Sequence, residues 1–518
     1  MKRLPLGIQS FEKMILQNYL YVDKTEYIYN LVTSGTYYFF PRPRRFGKSL
    51  LVSTLKELFL GNQELFKDLW ISKNTDYDWQ KYSVINLDFS RIPHTNSQEL
   101  RDSINDELRR IAKNYGIEIE QWNTPEQTLQ YLVIGLGQKN KVVILIDEYD
   151  KPILDHIKDI EEAEAQREVL RSFYTVIKAM DEHLHFVLLT GVTKVAQTSI
   201  FSGLNNLNDI SLDQLAAALL GYTDQEIDDY LNDYITEYAQ ESGRPTDDIR
   251  NQLREWYNGY RFSKQQIKVY NPYSVLNCLQ KKEFANYWIR SGTPKFLVDL
   301  ISKKPNELQN IEKIELSANN LEAFDIDDLE LITVLFQSGY YTIRDYNPSS
   351  NKYLIGYPNR EVQEAFTEYL MAAFTHTKSS VTHRLVSQCL LALQNNDLEL
   401  LCENLRTLFA NIPYNLHVKQ ERYYHSLFQL LGTMLGLEMH SEIATDKGRI
   451  DVVVVTPKYI YLFEIKFNKE PGEGMEQIKQ KRYYEKYRDR GKQIVLVEML
   501  FTRTKKDFTI DYKVKDLA

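Results

Sequence analysis

Short apolar runs separated by longer amphipathic stretches organise residues 1–215. The runs predict buried strands, and between them apolar residues recur every three or four positions, as they do in helices. The predicted strands are Tyr37–Phe40, Ser83–Phe89, Val142–Ile146 and His185–Leu189. A helix predicted from Lys48 to Leu60 ends at Gly61. Because these strands alternate with helical segments, residues 1–215 are predicted to form a parallel, doubly wound α/β sheet.

Helical periodicity dominates residues 216–410. Apolar residues at three- and four-residue spacing in Ile227–Tyr234 and Leu253–Tyr257 predict helices. Gly339–Ile343 and Tyr353–Ile355 flank the turn residues Asn347–Ser350 and predict a small hairpin. The middle of the chain is therefore predicted to be a helical lid with a winged-helix-like part.

A third pattern occupies residues 411–518. The predicted elements, in order, are a helix at Tyr423–Leu437, strands at Arg449–Val455 and Tyr459–Phe467, a helix at Met475–Tyr487 and a strand at Gln493–Met499. This order predicts a C-terminal α/β domain. Three domains, 1–215, 216–410 and 411–518, also suit a chain of 518 residues, since domains hold roughly 100–200 residues each.

The amino-acid composition indicates the expected cellular environment of the protein more clearly than it indicates a function. Hydrophobic residues make up 43% and charged residues 26%, as in ordinary globular proteins. No apolar stretch reaches membrane-helix length and no apolar run follows Met1, so a cytoplasmic protein with no membrane partner is expected. The isolated residues Cys278, Cys389 and Cys402 fit no zinc or disulfide pattern and are predicted to be buried thiols.

Charge is distributed unevenly between the ends of the chain. Residues 415–518 contain 19 Lys and Arg against 15 Asp and Glu, a net charge of +4. The net charge of the whole chain is −8, so the remaining residues carry −12. A basic module on an acidic body is a nucleic-acid signal, although +4 is also ordinary for a hundred residues. The sequence around Tyr483–Tyr484 is rich in Lys and Arg, which suits either nucleic-acid binding or a solvated helix face.

Residues Arg42–Ser49 follow an aromatic strand and open a helix, which is the context of a Walker A loop. Backbone N–H groups at a helix start can bind phosphates. Lys48 is predicted to reach the β- and γ-phosphates, and Ser49 to hold Mg²⁺. The nucleotide-binding candidates in the loop are Arg44, Arg45, Phe46, Gly47, Lys48 and Ser49. Arg42 stands where the general pattern has its first glycine.

A buried strand that ends in two carboxylates, Val142–Glu148, is typical of a Walker B motif. Asp147 would lie at the carboxyl edge of the sheet beside the loop and hold Mg²⁺. Glu148 would orient the attacking water as a general base. Two further candidates, Thr190 and Lys194, follow the last strand, where they could contact the γ-phosphate or simply belong to a turn.

Several blocks in order resemble the bacterial AAA-ATPase-like family. They are Tyr21–Thr25, Arg42–Ser49, Asp147–Pro152, Thr190–Val192, Trp256–Tyr260 and Tyr270–Ser274. The resemblance spans nearly the whole chain and implies ATP as the ligand, a slow, switch-like ATPase of the STAND type, and a C-terminal nuclease-like domain. Arg42 is usual within this family. Gly7–Phe11 and Val22–Lys24 are the segments whose family position suggests an adenine pocket.

The C-terminal domain carries a second constellation. Glu464 and Lys466 share one face of a strand, and a hairpin would bring Asp451 alongside them. Two carboxylates can hold Mg²⁺ or Mn²⁺, which polarises a phosphodiester and activates water, while the lysine stabilises developing charge. Asp451…Glu464-Ile465-Lys466 resembles the PD-(D/E)XK nucleases, with Ile450 in place of the proline.

Other residues around this motif are candidates for accessory roles: Glu421, His425, Glu442, Arg449 and Gln477. Glu421 and His425 are four apart and so share a helix face. Arg449 and Gln477 match the family form, and Gln477 would contact a metal-bound water or the nucleic-acid backbone.

The leading hypothesis is an ATP-binding, slowly hydrolysing protein coupled to a metal-dependent nuclease, with DNA favoured over RNA as substrate. The alternative is an ATP-controlled switch whose nuclease-like domain binds nucleic acid or protein without cutting. A rapid ATPase motor ranks last because the loop is short and atypical. Homo-oligomerisation and a protein partner stay open.

Overall fold

The computed structural model describes most of the chain. The described residues are 1–119, 122–194, 200–201, 204, 206–289, 314–321, 330–375, 379–410, 431–432, 435, 437–445, 448–467, 473–481, 483–503 and 508–517. The chain forms two compact units, one of Met1–Gly292 with Ile311–Val362 and one of Thr293–Asn310 with Gln363–Ala518. The division into three domains stays a prediction.

A five-stranded parallel sheet organises the first unit. Its strands are β1 (Tyr37–Phe39), β2 (Ser83–Asp88), β3 (Val142–Asp147), β4 (Leu184–Leu189) and β5 (Asn208–Asp209), in the order β2-β3-β4-β1-β5. Every pairing between neighbouring strands is parallel. All six residues of β3 are buried, as expected for a strand covered on both faces. The predicted α/β class is confirmed.

Helices connect the strands of this sheet. They are α1 (Phe11–Leu16), α2 (Thr25–Ser34), α3 (Lys48–Phe59), α4 (Trp70–Asn74), α5 (Ser97–Asn114), α6 (Pro125–Gly137), α7 (Lys151–Asp155) and α8 (Ile160–Ala179). A 3₁₀ turn, Gln63–Phe66, follows α3. Helix α3 is the one predicted from the sequence, and it begins directly after Gly47, whose φ of +101° is a left-handed conformation that suits glycine.

Helices α9 (Asp224–Ser242), α10 (Thr246–Tyr257) and α11 (Pro272–Lys281) follow the sheet and share one apolar core. A capping box of Thr223 and Glu226 starts α9, because each side chain binds the backbone N–H of the other. Buried residues at helical spacing, among them Ile227 and Leu231, face the core. The predicted helical middle is confirmed.

The predicted hairpin consists of β7 (Thr342–Asn347) and β8 (Lys352–Gly356), which pair antiparallel. A third strand, β6 (Ile314–Ser317), also pairs with β8 and was not predicted. Helix α12 (Leu331–Ser338) precedes the hairpin and ends at Gly339, whose φ is +92°.

The second unit contains a mixed sheet in the order β13-β12-β11-β10-β9. Its strands are β9 (Glu438–Thr445), β10 (Gly448–Val455), β11 (Tyr459–Phe467), β12 (Gln493–Arg503) and β13 (Phe508–Leu517). Its helices are α13 (Arg360–Thr375), which begins in the first unit, α14 (Ser379–Asn395), α15 (Leu398–Ala410) and α16 (Glu473–Lys481). Only the β11–β12 pairing is parallel.

Several boundaries in the second unit differ from the sequence prediction. The helix predicted at Met475–Tyr487 is wrong in its second half, because α16 ends at Lys481 and a 3₁₀ segment, Tyr483–Arg490, follows. Strands β9 and β13 were not predicted. Of the helix predicted at Tyr423–Leu437, residues 431–432 and 435 are described as helical and most others lie outside the described residues.

All three cysteines are buried free thiols, as predicted. Burial raises the pKa of each thiol to about 12, so these groups are not nucleophiles at neutral pH. Among the described residues, no helix combines the length and apolarity that crossing a membrane requires.

Candidate functional site

Lys48, the predicted phosphate-binding lysine, is the first residue of α3 and follows the loop after β1. Its ammonium group is buried and donates to the carbonyl oxygens of Arg42 and Pro43, at 3.0 and 3.3 Å. It also lies 3.9 Å from a carboxylate oxygen of Glu148. The lysine therefore folds back over the loop, between the loop and the end of β3.

Asp147 ends β3 beside the first turn of α3. Its side chain is 3% exposed, and its Oδ1 atom has no hydrogen-bond partner within the protein. Burial raises the pKa of Asp147 to about 6, although a hydrogen bond with Ser49 and the charge of Lys48 oppose the rise. A buried carboxylate oxygen without a partner, next to a serine hydroxyl, suits a bound Mg²⁺ ion. The structure thus brings together the two predicted Mg²⁺ ligands of this site.

Glu148 adopts a backbone φ of +57°, which non-glycine residues rarely do. Its side chain is partly exposed and lies near Lys48, as the 3.9 Å distance shows. Strained backbone of this kind is held in place by its surroundings and is frequent at active sites. The conformation directs a partly solvated carboxylate towards the loop.

Arg42 packs the loop onto the rest of the unit. Its guanidinium group lies between the rings of Phe40 and Phe262, at 4.4 and 4.3 Å from the ring centroids. It donates to the carbonyl oxygens of Ser211 and Ala216, at 2.7 and 3.1 Å. Burial lowers the pKa of Arg42 to about 9. The arginine in the place of a glycine is therefore a packing residue of the loop.

Of the remaining loop residues, Arg45 is exposed to solvent and Phe46 packs against the predicted helical lid. Arg45 is exposed, has a φ of +68° and lies 4.8 Å from the ring of Tyr273. Phe46 is buried with its ring edge against Tyr260 and Phe262. Through these contacts the lid covers the outer side of the loop.

Thr190 and Lys194 lie close to the loop but bind protein groups. The hydroxyl of Thr190 donates to the carbonyl oxygen of Phe40 at 2.6 Å. The ammonium of Lys194 is buried and forms a 2.6 Å ion pair with Asp209 of β5. Either residue would have to leave its present partner before it could contact a phosphate, so their role as γ-phosphate sensors stays a prediction.

Tryptophan and glycine residues of the lid touch the loop directly. The indole nitrogen of Trp288 donates to the carbonyl oxygen of Arg44 at 2.9 Å. The backbone of Trp288 is held in turn by the buried carboxylate of Glu361, which accepts its N–H at 2.7 Å. A Cβ atom on Gly339 would lie 2.6 Å from the side chain of Pro43, so the two backbones can approach only because Gly339 has no side chain.

An open, mainly apolar pocket adjoins the start of α3, with about 530 Å³ of empty space. Its walls include the loop residues Phe46 and Gly47, the segment from Leu20 to Val22, Lys24 and the lid residues Leu219–Tyr222. The ammonium of Lys24 is bound by Glu226 at 2.7 Å. Val22 and Lys24 line this pocket and Gly7–Phe11 does not, and the assignment of either segment to an adenine pocket stays a prediction.

The second site lies on one face of the C-terminal sheet. Val452 pairs with Phe463 in the antiparallel β10–β11 ladder, so the next position places Asp451 opposite Glu464. Side chains opposite each other share a face, and those two residues apart along a strand do as well. Asp451, Glu464 and Lys466 therefore lie on the face that α16 covers, which confirms the predicted geometry of the hairpin.

Short contacts tie these three residues together. The Lys466 ammonium lies 2.8 Å from Glu464 Oε1. Asp451 Oδ2 accepts the backbone N–H of Ile465 at 2.8 Å. Glu464 is fully buried and Lys466 nearly so. Over the described part of the chain, no three or more His, Cys, Asp or Glu side chains are arranged to hold a metal ion together, so Asp451 and Glu464 would need further oxygen ligands.

Comparisons with known proteins match both ends of the chain. A family model described as a predicted AAA-ATPase matches residues 5–201, and a model of the PD-(D/E)XK nuclease superfamily matches residues 419–509. A protein of Azotobacter chroococcum mcd 1, described as an uncharacterized protein in the vnfD 5' region, is 37% identical over 513 residues, which cover 97% of each chain.

The chain belongs to the AAA-ATPase-like family.

No solved structure matches this AAA-ATPase-like protein. Its two family matches coincide with the two sites. The first covers the loop, Asp147 and Glu148, and the second covers Asp451, Glu464 and Lys466. The uncharacterized relative adds no activity to these matches.

The structure describes the backbone positions of three of the five accessory candidates of the nuclease-like domain. Glu442 lies on β9 between the partners of Ile450 and Val452, so its register position is opposite Asp451. Arg449 lies on β10, and Gln477 is half-buried on α16. Glu421 and His425 lie outside the described residues.

Sequence reasoning missed two carboxylates of this AAA-ATPase-like protein. Asp150 is fully buried and accepts the backbone N–H groups of Val192 and Thr193, so it binds the loop after β4 to the end of β3. Glu498 pairs directly with Glu464 across β11 and β12 and is also buried. The only sequence signal for each was an acidic residue within or beside a strongly apolar strand.

Proposed function

We propose that this protein binds and slowly hydrolyses ATP, and that its C-terminal domain is a metal-dependent phosphodiesterase acting on nucleic acid, with DNA the leading substrate. The observation that carries the proposal is the alignment of Asp451, Glu464 and Lys466 on one sheet face, in a chain that also carries a Walker A-like loop and a Walker B-like strand end. Each half is supported by separate contacts.

Ser49 and Asp147 are the residues that would hold Mg²⁺ at the nucleotide. Such an ion would neutralise negative charge that develops on the phosphates during transfer. Lys48 would exchange its two carbonyl partners for phosphate oxygens, which are stronger, charged acceptors. Glu148 would accept a proton from the attacking water molecule.

The apolar pocket beside the loop supports a purine base as the rest of the ligand. It begins at Phe46 and Gly47, so a base within it would be joined to phosphates at the loop. Planar aromatic rings are favoured in apolar clefts with few polar groups. The pocket thus supports a nucleoside triphosphate rather than a bare phosphate.

Slow turnover is supported by the two candidate γ-phosphate contacts, which bind protein groups in this structure. Lys194 is engaged by Asp209 and Thr190 by the carbonyl of Phe40. Rapid hydrolysis would need a cation to stabilise the transferring phosphoryl group. A protein that must first break a buried ion pair to supply one is suited to switching rather than to motor activity.

At the second site, Asp451 and Glu464 would hold Mg²⁺ or Mn²⁺, which activates water and polarises the scissile phosphate. Lys466 would move from Glu464 towards the phosphate as negative charge develops there. On the 3₁₀ segment that precedes β12, Lys486, Arg488 and Arg490 are exposed and suit contacts with a phosphate backbone.

A second candidate function is a switch that binds nucleic acid or protein without cutting it. One observation favours it: the Lys466 ammonium is paired with Glu464, the glutamate that a metal would need. In this case ATP would control binding alone.

The test is nuclease activity of the wild type and Lys466→Ala on plasmid, linear and single-stranded DNA and on RNA, with Mg²⁺ or Mn²⁺ and with or without ATP. Lys458→Ala is the matched control, because Lys458 is exposed at the far end of the same hairpin. Cleavage by the wild type and the control that is lost in Lys466→Ala supports the nuclease. No cleavage of any substrate by protein that binds ATP favours the switch.

A further inference from the structure

Glu498 lies beside Glu464 at the centre of the C-terminal sheet. The parallel strands β11 and β12 pair the two residues directly. Both side chains are at most 1% exposed. Two neighbouring carboxylates repel each other strongly in a buried setting, so such a pair persists only where other groups stabilise it.

The start of α16 supplies one such group. The backbone N–H of Gly474 donates to Glu498 Oε1 at 2.9 Å. Gly474 is the second residue of α16, and the N–H groups of a first helical turn have no acceptor within their own helix. The positive end of the helix dipole also lies there. Glu498 thus caps α16 from a neighbouring strand.

The fit between the helix and the two glutamates is close. A Cβ atom on Gly474 would lie 3.1 Å from Cγ of Glu464 and 3.1 Å from Cγ of Glu498. Only a residue without a side chain fits there without displacing its neighbours. Gln477 follows three positions later and therefore lies on the same side of the helix as Gly474.

We propose that Glu498 is a positioning residue, which holds the start of α16 against Glu464 and so keeps Glu464 and Gln477 in place for metal and phosphate binding. It acts by accepting the hydrogen bond from Gly474, not by its charge. The role of Glu498 in metal and phosphate binding rests on the proposed nuclease function. The packing of the start of α16 against Glu464 can be measured independently of that function.

Two substitutions at Glu498 distinguish the effect of side-chain length from the effect of charge. Glu498→Gln keeps an acceptor oxygen at the same distance from the backbone and removes the charge. Glu498→Asp keeps the charge but is one methylene shorter, which withdraws the oxygen from the Gly474 N–H. Glu485→Gln is the control, because Glu485 is exposed on the neighbouring 3₁₀ segment.

The full-length variants are compared by amide hydrogen exchange of α16 without metal or nucleic acid, and by Mn²⁺ affinity from calorimetry. We expect Glu498→Gln and the control to match the wild type in both. We expect Glu498→Asp to exchange faster in α16 and to bind Mn²⁺ about 10- to 100-fold more weakly, the usual loss when a residue that orients a ligand is changed.

Loss of helix protection in Glu498→Gln, or wild-type protection in Glu498→Asp, overturns the proposal. Should Glu498→Asp fail to fold, Glu498→Leu replaces it, since an apolar side chain of similar size offers the Gly474 N–H no acceptor oxygen, and the same fast exchange is expected. A wild type that binds no Mn²⁺ contradicts the proposed metal site, and the exchange measurement then still decides whether Glu498 positions the helix.

Discussion

The indole N–H of Trp288 donates to the carbonyl oxygen of Arg44, and the two atoms are 2.9 Å apart. The residues are 244 positions apart in the chain. The bond connects the lid to the phosphate-binding loop, and Glu361 holds the backbone of Trp288 in place. The bond therefore fixes the position of one carbonyl group of the loop.

Trp288→Phe should weaken ATP binding roughly threefold to tenfold, because it removes one hydrogen bond to the loop while retaining an aromatic ring. Titration with a fluorescent ATP analogue measures the change. Trp256→Phe serves as the control, since Trp256 packs in the lid core. Equal affinity in Trp288→Phe and the wild type would show that the loop holds its shape without the lid.

Lys48→Ala should weaken ATP binding by on the order of 100-fold, because the loop loses its charged phosphate ligand. Equilibrium binding in Mg²⁺ tests this, with circular dichroism to confirm folding. Lys56→Ala is the control, because Lys56 is on the same helix and its side chain is 43% exposed. Tight binding by Lys48→Ala would exclude the loop as the phosphate site.

Asp147→Asn should stabilise the ligand-free protein while it abolishes Mg²⁺-dependent ATP binding. The raised pKa, about 6 against 3.8 ordinarily, means that ionised Asp147 opposes folding above pH 6. The gain at pH 8 is at most about 3 kcal/mol, since each pKa unit corresponds to about 1.4 kcal/mol. Thermal melting at pH 8 measures it, and a lower melting temperature would contradict the buried-charge argument.

Glu148→Gln and Glu148→Gly should both bind ATP and reduce its hydrolysis by about 10²- to 10⁴-fold, because each lacks the general base. Their stabilities should differ. Glycine accepts a φ of +57° without strain, so Glu148→Gly should be up to about 1 kcal/mol more stable than Glu148→Gln. Phosphate release and chemical denaturation are the measurements. Undiminished hydrolysis would remove Glu148 from the mechanism.

His94 should stabilise the protein more at low than at high pH. Its ring Nε2 lies 3.1 Å from a carboxylate oxygen of Asp155, and this hydrogen bond raises the pKa of His94. Burial alone would raise the pKa of Asp155, but His94 and Lys151 together lower it to about 2. Two other titratable neighbours of His94 are His156, whose ring centroid lies 6.1 Å from that of His94, and Glu99, whose carboxylate interacts with His94 electrostatically.

A raised histidine pKa contributes stability that is complete below the unfolded value of about 6.5 and disappears as the pH rises through the folded value. His94→Gln should therefore cost about 0.2–1 kcal/mol at pH 5.5 and almost nothing at pH 9, since the pair is partly screened by solvent. Urea denaturation at both values tests this. An equal cost at both would mean that the ion pair contributes nothing.

Much of the architecture could be predicted from local sequence patterns. The burial of β3 and the placement of Asp147 at its end follow from a continuous apolar run that stops at a carboxylate. The alignment of Asp451, Glu464 and Lys466 follows from the two-residue period of strands joined by a short turn. In both cases the residues that decide the outcome lie on one strand or on two strands joined by a short turn, so no information from distant segments is needed.

The helix predicted at Met475–Tyr487 shows where local patterns fail. Apolar spacing continues past Lys481, yet the chain changes to a 3₁₀ segment there. Tyr487 is nevertheless buried in the same core as Ile478. Packing against the sheet therefore overrides the intrinsic preference of the segment, as tertiary contacts often do.

Short-range periodicity was sufficient to predict the fold class, the two motifs and the residues that alternate onto each buried face. Three contacts depend instead on the folding of distant segments against one another: Arg42 between two aromatic rings, Lys194 with Asp209, and Glu498 with Gly474. A buried polar group must find a partner, and which one it finds depends on which distant segments fold against it.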